Sequence, residues 1–466
     1  MGFFNNTASG EMQSEDVNNL QKALQAGYGT DSADYKGGRA LIPEDLETEV
    51  INVVNELKDD CKVMNSVKKT PVRSTVHEVN LRTDTGEYRF ASVAEGGQSI
   101  DTNQNLERKP FNMKYIQTRR SVTKQMEAAE TFEGALASEK LAGVETVIKA
   151  AEYQCFHGDS AVVPTEFDSF ESFIRKAKPE EQNIISLGGK SIGTKGEGLF
   201  DDVSQMVFEK GGDISKTLFP PMLARDIKDL FKDRIRFTTQ DSMGSMQALP
   251  DYPTAIGSTI KFTGEGAGAD KFYHVKGIVT AAGDALKRPA KPATVAPAVA
   301  SDPKSKFLGD YAGGDYIYSV HAVNQYGISE GTDISSPQTV ASGEKVTLTI
   351  TKGGGVAPTG YIICRTNKGG KQPMEMISIP ASGNSTTEFV DYNEDLPGTA
   401  SMIFLTEKRL QPIYTFGQLL PVCTFPLAPV ASAENPFLVM MFGALELRSP
   451  KMCALVKDIA YTGGLY

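Results

Sequence analysis

The sequence predicts an α+β protein with a long helix, an extended hairpin and an inserted all-β sandwich. Three observations support this fold class. A helical pattern of apolar residues extends from Ser121 to Phe156, polar and apolar residues alternate before it, and only strand patterns occur from about Gly313 to Val390. The chain has 466 residues, enough for about three domains. It is therefore long enough to bury a large core.

The N-terminal 120 residues are polar and predict two extensions. Residues 1–60 have two stretches of helical spacing separated by Gly27 to Gly38, and we expect an arm there. Residues 61–120 alternate around the turn Asp84-Thr85-Gly86, which predicts a hairpin with Val76, Val79 and Leu81 on one strand and Tyr88, Phe90 and Val93 on the other. Because a polar two-stranded ribbon is only marginally stable alone, this hairpin implies a partner surface.

The pattern from Ser121 to Phe156 predicts a single long helix that ends at His157, with Gly158 as its C-cap. Cys155 and His157 could form a nucleophile–base dyad. Residues two positions apart on a helix point in different directions, however, which favours a capping role for His157.

Residues 159–288 predict a mixed domain. Its expected helices are Leu199 to Lys210 and Pro221 to Phe231, and its expected strands are Ile256 to Phe262 and Phe272 to Ala281. Gly189-Lys190-Ser191 lacks the first glycine of a phosphate-binding loop, since position 184 is Ile184. Gly264, Gly266 and Gly268 likewise lack dinucleotide-binding spacing, so we expect a plain loop at each place.

Residues 286–297 are rich in proline and alanine and predict a semi-rigid linker that opens an inserted β-sandwich over 289–398. The strands expected in this insert are Tyr316 to Val323, Lys345 to Thr351, Gly360 to Arg365, Met374 to Ile379 and Glu388 to Asp391. The apolar runs that follow, Phe416 to Val422, Phe437 to Leu447 and Cys453 to Tyr461, are too short to fold alone. We expect them to complete the mixed domain.

The composition argues against catalysis. The chain has no tryptophan and only four histidines, His77, His157, His274 and His321, although histidine is the commonest general base and metal ligand. We therefore expect a structural protein that is not an enzyme, with no catalytic residues, no cofactor and no metal site.

The net charge of −10 opposes general binding to nucleic acid. A basic series lies near the base of the hairpin: Arg108, Lys109, Lys114, Arg119, Arg120 and Lys124. This series could meet phosphate, acidic groups of an adjoining subunit, or solvent.

The five cysteines, Cys61, Cys155, Cys364, Cys423 and Cys453, are far apart and form no C-x-x-C pair, which indicates reduced, buried thiols. The N-terminus has no signal-peptide pattern, and no window reaches the ~18 apolar residues of a membrane span. We therefore expect synthesis in a reducing cytoplasm.

In this order, arm, hairpin, long helix and mixed domain resemble the major capsid proteins of tailed bacteriophages, whose fold is named after phage Hong Kong 97. The resemblance is greatest to the large contractile-tailed phages of Gram-positive bacteria. Four stretches carry it: Leu24-Gln25-Ala26-Gly27-Tyr28-Gly29, Met113-Lys114-Tyr115, Glu152-Tyr153-Gln154-Cys155-Phe156-His157-Gly158-Asp159 and Phe442-Gly443-Ala444-Leu445-Glu446-Leu447-Arg448-Ser449-Pro450-Lys451.

The resemblance implies a role for each segment. Residues 1–60 correspond to the N-terminal arm, 61–120 to the extended E-loop that lies across a neighbouring subunit, and 121–158 to the P-domain with its spine helix. Residues 159–288 and 399–440 correspond to the two parts of the A-domain, and 441–466 return to the P-domain. The insert 289–398 resembles an immunoglobulin or fibronectin type III module through the alternation from Tyr316 to Ser329, although it lacks the usual tryptophan.

The function implied is a virion subunit that self-assembles into hexamers and pentamers and encloses double-stranded DNA in an icosahedral shell. Its partners would be further copies, a portal protein, and scaffolding or decoration proteins, with no membrane and no sequence-specific DNA contact. Two alternatives stay open. One is a carbohydrate-binding adhesin or tail-associated protein that uses the sandwich, and the other is a secreted hydrolase, which would need a signal peptide.

Overall fold

The computed structural model describes residues 61–463 except 87–88, 90–91, 94, 99–100, 130–133, 233–250, 265, 408–411 and 429–432. The expected arm, residues 1–60, lies outside the described residues. So do Tyr88 and Phe90 of the expected hairpin.

The described helices are α1 Lys62–Ser66, α2 Lys124–Ala128, α3 Ala135–His157, α4 Phe170–Lys176, α5 Ile192–Lys195, α6 Gly198–Glu209 and α7 Leu223–Leu230. The described strands are β1 Lys69–Pro71, β2 Val76–Asp84, β3 Asn105–Asn112, β4 Lys114–Thr123, β5 Ile184–Ser186, β6 Ile214–Phe219, β7 Tyr252–Pro253, β8 Thr259–Ile260, β9 Gly268–Ala269, β10 Ala282–Gly283, β11 Thr294–Ser301, β12 Gly314–Tyr316, β13 Tyr318–Asn324, β14 Gly327–Asp333, β15 Gln338–Val340, β16 Glu344–Thr351, β17 Gly360–Arg365, β18 Met374–Pro380, β19 Thr386–Asp391, β20 Ala400–Thr406, β21 Tyr414–Pro426, β22 Glu434–Leu447 and β23 Ala454–Ile459.

A four-stranded sheet in the order β1-β21-β22-β4 packs against the long helix α3. Strand β22 runs antiparallel to both neighbours, whereas β1 lies parallel to β21. The contact is close at Gly143, where a Cβ atom would lie 2.8 Å from the Val439 side chain. Val147, Ala151 and Phe156 continue this face of the helix into the core. Apolar residues at helical spacing therefore bury one side of α3.

A second sheet, in the order β5-β23-β20-β6-β9, forms the centre of the mixed domain. Strands β20 and β23 are buried almost throughout, and α6 and α7 supply Val203, Val207 and Ile227 to the same core. The run Cys453 to Tyr461 thus completes, as β23, a sheet that begins at Ile184, as predicted. The prediction was wrong for the runs Phe416 to Val422 and Phe437 to Leu447, which lie in strands β21 and β22 of the four-stranded sheet.

The segment from residue 282 to residue 391 consists of strands in a five-stranded sheet, β10-β14-β13-β17-β18, a three-stranded sheet, β11-β16-β19, and a short pair, β12-β15. Side chains of both larger sheets share one apolar core that includes Tyr318, Val320, Leu348 and Ile363. Its identity as an immunoglobulin or fibronectin type III module stays a prediction. Residues 294–297 belong to strand β11 and not to a linker, so the predicted linker is too long.

Strands β2 and β3 form an antiparallel ribbon of their own, with His77 opposite Phe111 and Leu81 opposite Glu107. The predicted turn at residues 84–86 was wrong as a hairpin turn, because β2 pairs with residues 105–112. The chain between the two strands is a long connection and not a tight turn.

Three other predictions need correction. Residues 121–123 end strand β4, where they pair with β22, so the helix begins later than predicted. Residues 272–281 form no strand, and only 259–260 of the expected strand 256–262 lie in one. The predicted boundary between segments 399–440 and 441–466 falls inside β22. Strand β23, in the second of these segments, pairs with β20, in the first, so the two segments do not correspond to separate sheets.

Candidate functional site

The ribbon β2–β3 is a separate two-stranded sheet and the strongest candidate for an interaction surface. Exposed and partly buried residues alternate along β2, and β3 is exposed except near its end. Among its apolar side chains, Leu106 is 59% exposed and Val76 is 42% exposed. A ribbon with open strand edges and exposed apolar groups is a template for contact with another chain.

A buried carboxylate fixes the base of the ribbon. Glu446 on β22 has no exposed side-chain surface, and its Oε1 lies 2.6 Å from Nδ1 of His77. Its Oε2 accepts a hydrogen bond of 3.1 Å from the Thr415 hydroxyl and lies 3.3 Å from a guanidinium nitrogen of Arg448. This one side chain therefore joins β2, β21 and β22.

Lys109 and Phe111 hold the other strand of the ribbon against the same body. The Lys109 ammonium donates to the carbonyl of Leu447 at 3.0 Å, and burial lowers the pKa of this lysine against the opposing pull of nearby carboxylates. The ring of Phe111 packs edge-on against Phe173 at 5.9 Å. The ribbon is thus anchored at one end and exposed towards the other.

The basic series near the ribbon meets groups of its own chain. Arg108 pairs with Glu78 at 3.0 Å, and Arg120 pairs with Glu139 at 2.8 Å. The remaining contacts are Lys109 with Leu447, Lys114 with the carbonyl of Pro164, and Arg119 with Glu434. Five of the six predicted residues therefore have partners within the chain, which the sequence pattern did not indicate.

A second charged cluster lies where the segment after β19 meets the body. Asp395 accepts a hydrogen bond of 2.8 Å from Arg175 and one of 3.0 Å from Lys457, and Lys276 lies 3.7 Å away. Burial alone would raise the pKa of Asp395, but these three cations hold it well below its usual range. The carboxylate is therefore charged at neutral pH and joins three separate segments of the body.

A cleft of about 920 Å³ separates β13, β14 and β18 from the end of α3 and residues 273–283. His157 lines it, with Nε2 3.1 Å from both the backbone nitrogen of His274 and the carbonyl oxygen of Phe272. Burial lowers the pKa of His157 to about 4. The ring therefore contacts another segment and does not cap its own helix. At Gly158, a Cβ atom would lie 2.3 Å from the carbonyl oxygen of Phe167, so glycine is needed there for close approach.

The structure does not support a dyad of Cys155 and His157. Cys155 lies on α3 and is fully buried in the core, whereas His157 lines the cleft. Burial raises the pKa of the Cys155 thiol, the opposite of what activates a nucleophile. In the described chain none of the five cysteines forms a disulfide, and all but Cys423 are buried.

Two further searches of the described ranges returned nothing. No group of three or more histidine, cysteine, aspartate or glutamate side chains there is placed to hold a metal ion. Nor does any helix in those ranges combine the length and hydropathy needed to cross a bilayer.

No known family model matches the chain. Among characterised proteins, the chain is 24% identical to the putative major capsid protein of Enterococcus phage phiEF24C, with 96% of each chain covered. It is 25% identical to the major capsid proteins of Staphylococcus phage S25-3 and Staphylococcus phage K, with 94% of each covered.

Solved structures were also compared. The capsid of a native GTA particle matches with a TM-score of 0.44 and 10% identity, covering 93% of this chain and 100% of that one. The structure from Microbacterium phage Oxtober96 matches with a TM-score of 0.45 and 8% identity, covering 91% of this chain and 99% of that one. The holo-SrpI encapsulin complex of Synechococcus elongatus PCC 7942 matches with a TM-score of 0.39 and 10% identity, covering 91% of this chain and 95% of that one.

Proposed function

We infer that this chain is a major capsid protein of a phage, with the fold named after phage Hong Kong 97, and that it forms the icosahedral shell. The observation that carries this inference is the match to named major capsid proteins over 94–96% of both chains. A match of that extent includes the ribbon, the long helix and both sheets of the body. It is therefore a match of the whole architecture and not of one shared module.

The ribbon gives the physical reason why such a subunit assembles. Its base is fixed by Glu446, Lys109 and Phe111, while Leu106 and Val76 remain exposed to solvent in the single chain. Copies of one subunit that tile a closed shell need surfaces that only neighbours can bury. An anchored ribbon presents such a surface in a defined direction.

Several finer assignments belong to this proposal. The subunits form hexamers and pentamers, associate with a portal protein and with scaffolding or decoration proteins, and enclose double-stranded DNA without reading its sequence. A net charge of −10 suits a wall from which DNA must later leave. The protein is made in the host cytoplasm, acts without catalysis and needs no cofactor.

We assign the segments accordingly. Residues 1–60 are the arm, 61–120 contain the E-loop, and α3 is the spine helix of the P-domain. Because the sheet of β21 and β22 packs on α3, it joins the P-domain, whereas β20 and β23 join the A-domain. The insert is a surface module of the shell that contacts glycans or adjoining capsomers.

The test is negative-stain electron microscopy of the expressed full-length protein. Closed shells, tubes or isolated hexamers support the proposal. A uniform monomer or trimer that never assembles would overturn it and favour a binding protein that uses the β-sandwich.

A further inference from the structure

Two acidic side chains lie inside the protein where the described chain begins. Glu152 on α3 has no exposed surface, and Asp270, directly after β9, is 1% exposed. The carboxylate of Glu152 accepts hydrogen bonds from the backbone N–H groups of Val63, at 2.8 Å, and Met64, at 2.7 Å. The long helix therefore holds α1 by its backbone, directly after the chain leaves residues 1–60.

Asp270 has one carboxylate oxygen satisfied and one not. Its Oδ1 accepts a hydrogen bond of 2.8 Å from the backbone of Phe272. Its Oδ2 is buried without a hydrogen-bond donor in the part of the chain that the structure describes, and this carboxylate is within hydrogen-bonding reach of Glu152. Two acceptors in contact become a hydrogen bond only if one of them carries a proton.

The surroundings place that proton on Glu152. Burial and the neighbouring charge of Asp270 raise the pKa of Glu152 to about 9, against the lowering effect of the Met64 and Val63 N–H groups. Burial also raises the pKa of Asp270, while the Phe272 N–H, Glu152 and Lys62 act in the opposite direction.

The other titratable groups that face this pair lie on the same two elements. The backbone N–H and the ammonium of Lys62 on α1 both act to lower the pKa of Asp270. The thiols of Cys61 and Cys155 lie beside the two carboxyls, and burial raises the pKa of Cys155. The pair is therefore the titrating unit of this site, and Lys62 is a cation beside it.

We propose that Glu152 and Asp270 share a single proton, and that this proton holds residues 62–64 against α3. Its loss places two negative charges side by side in the interior, and their repulsion releases α1 from the helix. The pair is a proton-dependent latch on the segment that joins residues 1–60 to the fold. Only its consequence for assembly rests on the proposed function, in which residues 1–60 are the arm.

The sign of the pH dependence follows from the shift. When α1 opens, Glu152 regains a carboxyl pKa near its ordinary 4.5, so opening releases one proton between about pH 4.5 and about pH 9. Opening therefore becomes easier as the pH rises, by about tenfold per pH unit across that window.

Amide hydrogen exchange of the unassembled full-length protein tests this directly. Protection of a peptide covering residues 61–67, corrected for intrinsic exchange, is expected to fall about tenfold per pH unit from about pH 6 to about pH 9. In Glu152→Gln the one remaining oxygen accepts from one of the two backbone N–H groups, the NH₂ group donates to Asp270, and the side chain does not ionise. The protection should then be independent of pH. A peptide covering residues 454–459 serves as the internal reference.

Glu145→Gln is the matched control, because Glu145 lies on the same helix in an ordinary pair with Lys149 at 3.2 Å. This variant should keep the wild-type slope. Equal slopes in wild type and Glu152→Gln would overturn the proposal.

A second variant and a second measurement cover the case in which Glu152→Gln does not fold. Asp270→Asn removes the neighbouring charge and supplies an amide donor to Glu152, so the pH-dependent slope should end at a lower pH than in the wild type, while burial keeps part of it. Infrared spectroscopy of the wild-type protein at neutral pH should show the C=O stretch of a buried protonated carboxyl, lost above about pH 9. Absence of that band at neutral pH would contradict the shared proton. None of these measurements depends on whether shells form.

Discussion

At the scale of single residues, Glu446 has the largest structural consequence for the ribbon. It is fully buried and contacts His77, Thr415 and Arg448, which lie on three different segments. Nothing local in the sequence marks it except that an acidic residue stands inside the apolar run from Phe437 to Leu447. A charge in such a position is retained only when distant groups compensate it.

Glu446→Ala is expected to lower the free energy of unfolding by roughly 1–3 kcal/mol, because it leaves the buried Thr415 hydroxyl and the partly buried His77 and Arg448 without an acceptor. Urea denaturation followed by circular dichroism measures this change. Glu78→Ala breaks the exposed pair with Arg108 on the same ribbon and should cost less than about 1 kcal/mol. Equal effects of the two substitutions would show that Glu446 does not anchor the ribbon.

His157 predicts a dependence of stability on acid. Its folded-state pKa is lowered to about 4 from an ordinary 6.5, so the unfolded chain binds more protons between those values. Stability should therefore rise with pH from about 4 to about 6.5 and be lost in the reverse direction.

In His157→Gln, the thermal unfolding midpoint should vary less over this range than in the wild type. His274→Gln removes the neighbouring exposed ring and should keep most of the dependence. A wild-type slope that survives in His157→Gln would assign the effect to another group.

At the scale of elements, the sequence patterns predicted where strands lie better than they predicted which strands pair with each other. Strand β17 begins and ends where the pattern predicted, and β16 differs by one residue, because buried strands give continuous or alternating apolar runs. Strand β3 was missed since its residues are mostly polar or charged and mostly exposed. Strand β11 was missed because Pro297 suggested a linker, yet proline is tolerated on the edge of a sheet, and β11 is an edge strand.

The charged clusters could not be predicted from local sequence patterns, for a different reason. Asp395 and Arg175 are 220 residues apart in the chain and meet only in the folded protein. The basic series was visible in the sequence, but its partners Glu139 and Glu434 were not. Pairing over such separations depends on tertiary packing and leaves no periodic signal.

The ribbon as an element predicts an assembly defect without a folding defect. Leu106 is 59% exposed on β3, so Leu106→Glu should change the free energy of unfolding by less than about 0.5 kcal/mol. The same substitution should reduce shell formation strongly, because it places a charge where a neighbour is expected to bury an apolar side chain. Sedimentation velocity of assembled and unassembled protein measures both populations.

Leu286→Glu is the matched control, since Leu286 is also an exposed leucine, 89% accessible, but lies outside the ribbon. It should assemble normally. Normal assembly of Leu106→Glu would show that the ribbon is not a contact between subunits.

At the scale of the whole molecule, the segment from β11 to β19 is attached to the body through Asp395 as well as through the chain. A second contact is the hydrogen bond of 2.9 Å from the Tyr311 hydroxyl to the carbonyl of Gly188. Val162 and Val163 of the body also pack with Val323 and Ile362 of this segment. These contacts therefore hold the segment in one position on the body.

Deletion of residues 294–391 should leave a body that still folds and assembles, because Asp395 and its three cations remain. The cut ends lie about five residues apart along the strands and about two strand spacings apart across the sheet, roughly 19 Å in all, which a flexible linker of about twelve Gly and Ser residues spans. Thermal unfolding and electron microscopy report the outcome.

Deletion of 289–398 removes Asp395 too and leaves Arg175, Lys276 and Lys457 facing one another. Its thermal unfolding midpoint should be lower than that of the shorter deletion. If neither deletion yields a folded body, the segment is an integral part of the core and not an insertion.

The placement of β20 to β23 has one consequence for the order of events in the infected cell. Strand β4 finds its partner β22 more than 300 residues later, and β5 pairs with β23 at the far end of the described chain. On the ribosome, the four-stranded sheet therefore cannot close until β22 has emerged up to residue 447, and the five-stranded sheet cannot close until β23 has emerged up to residue 459. Contacts of such long sequence separation form slowly. Translation itself thus delays the moment at which a subunit can complete its fold.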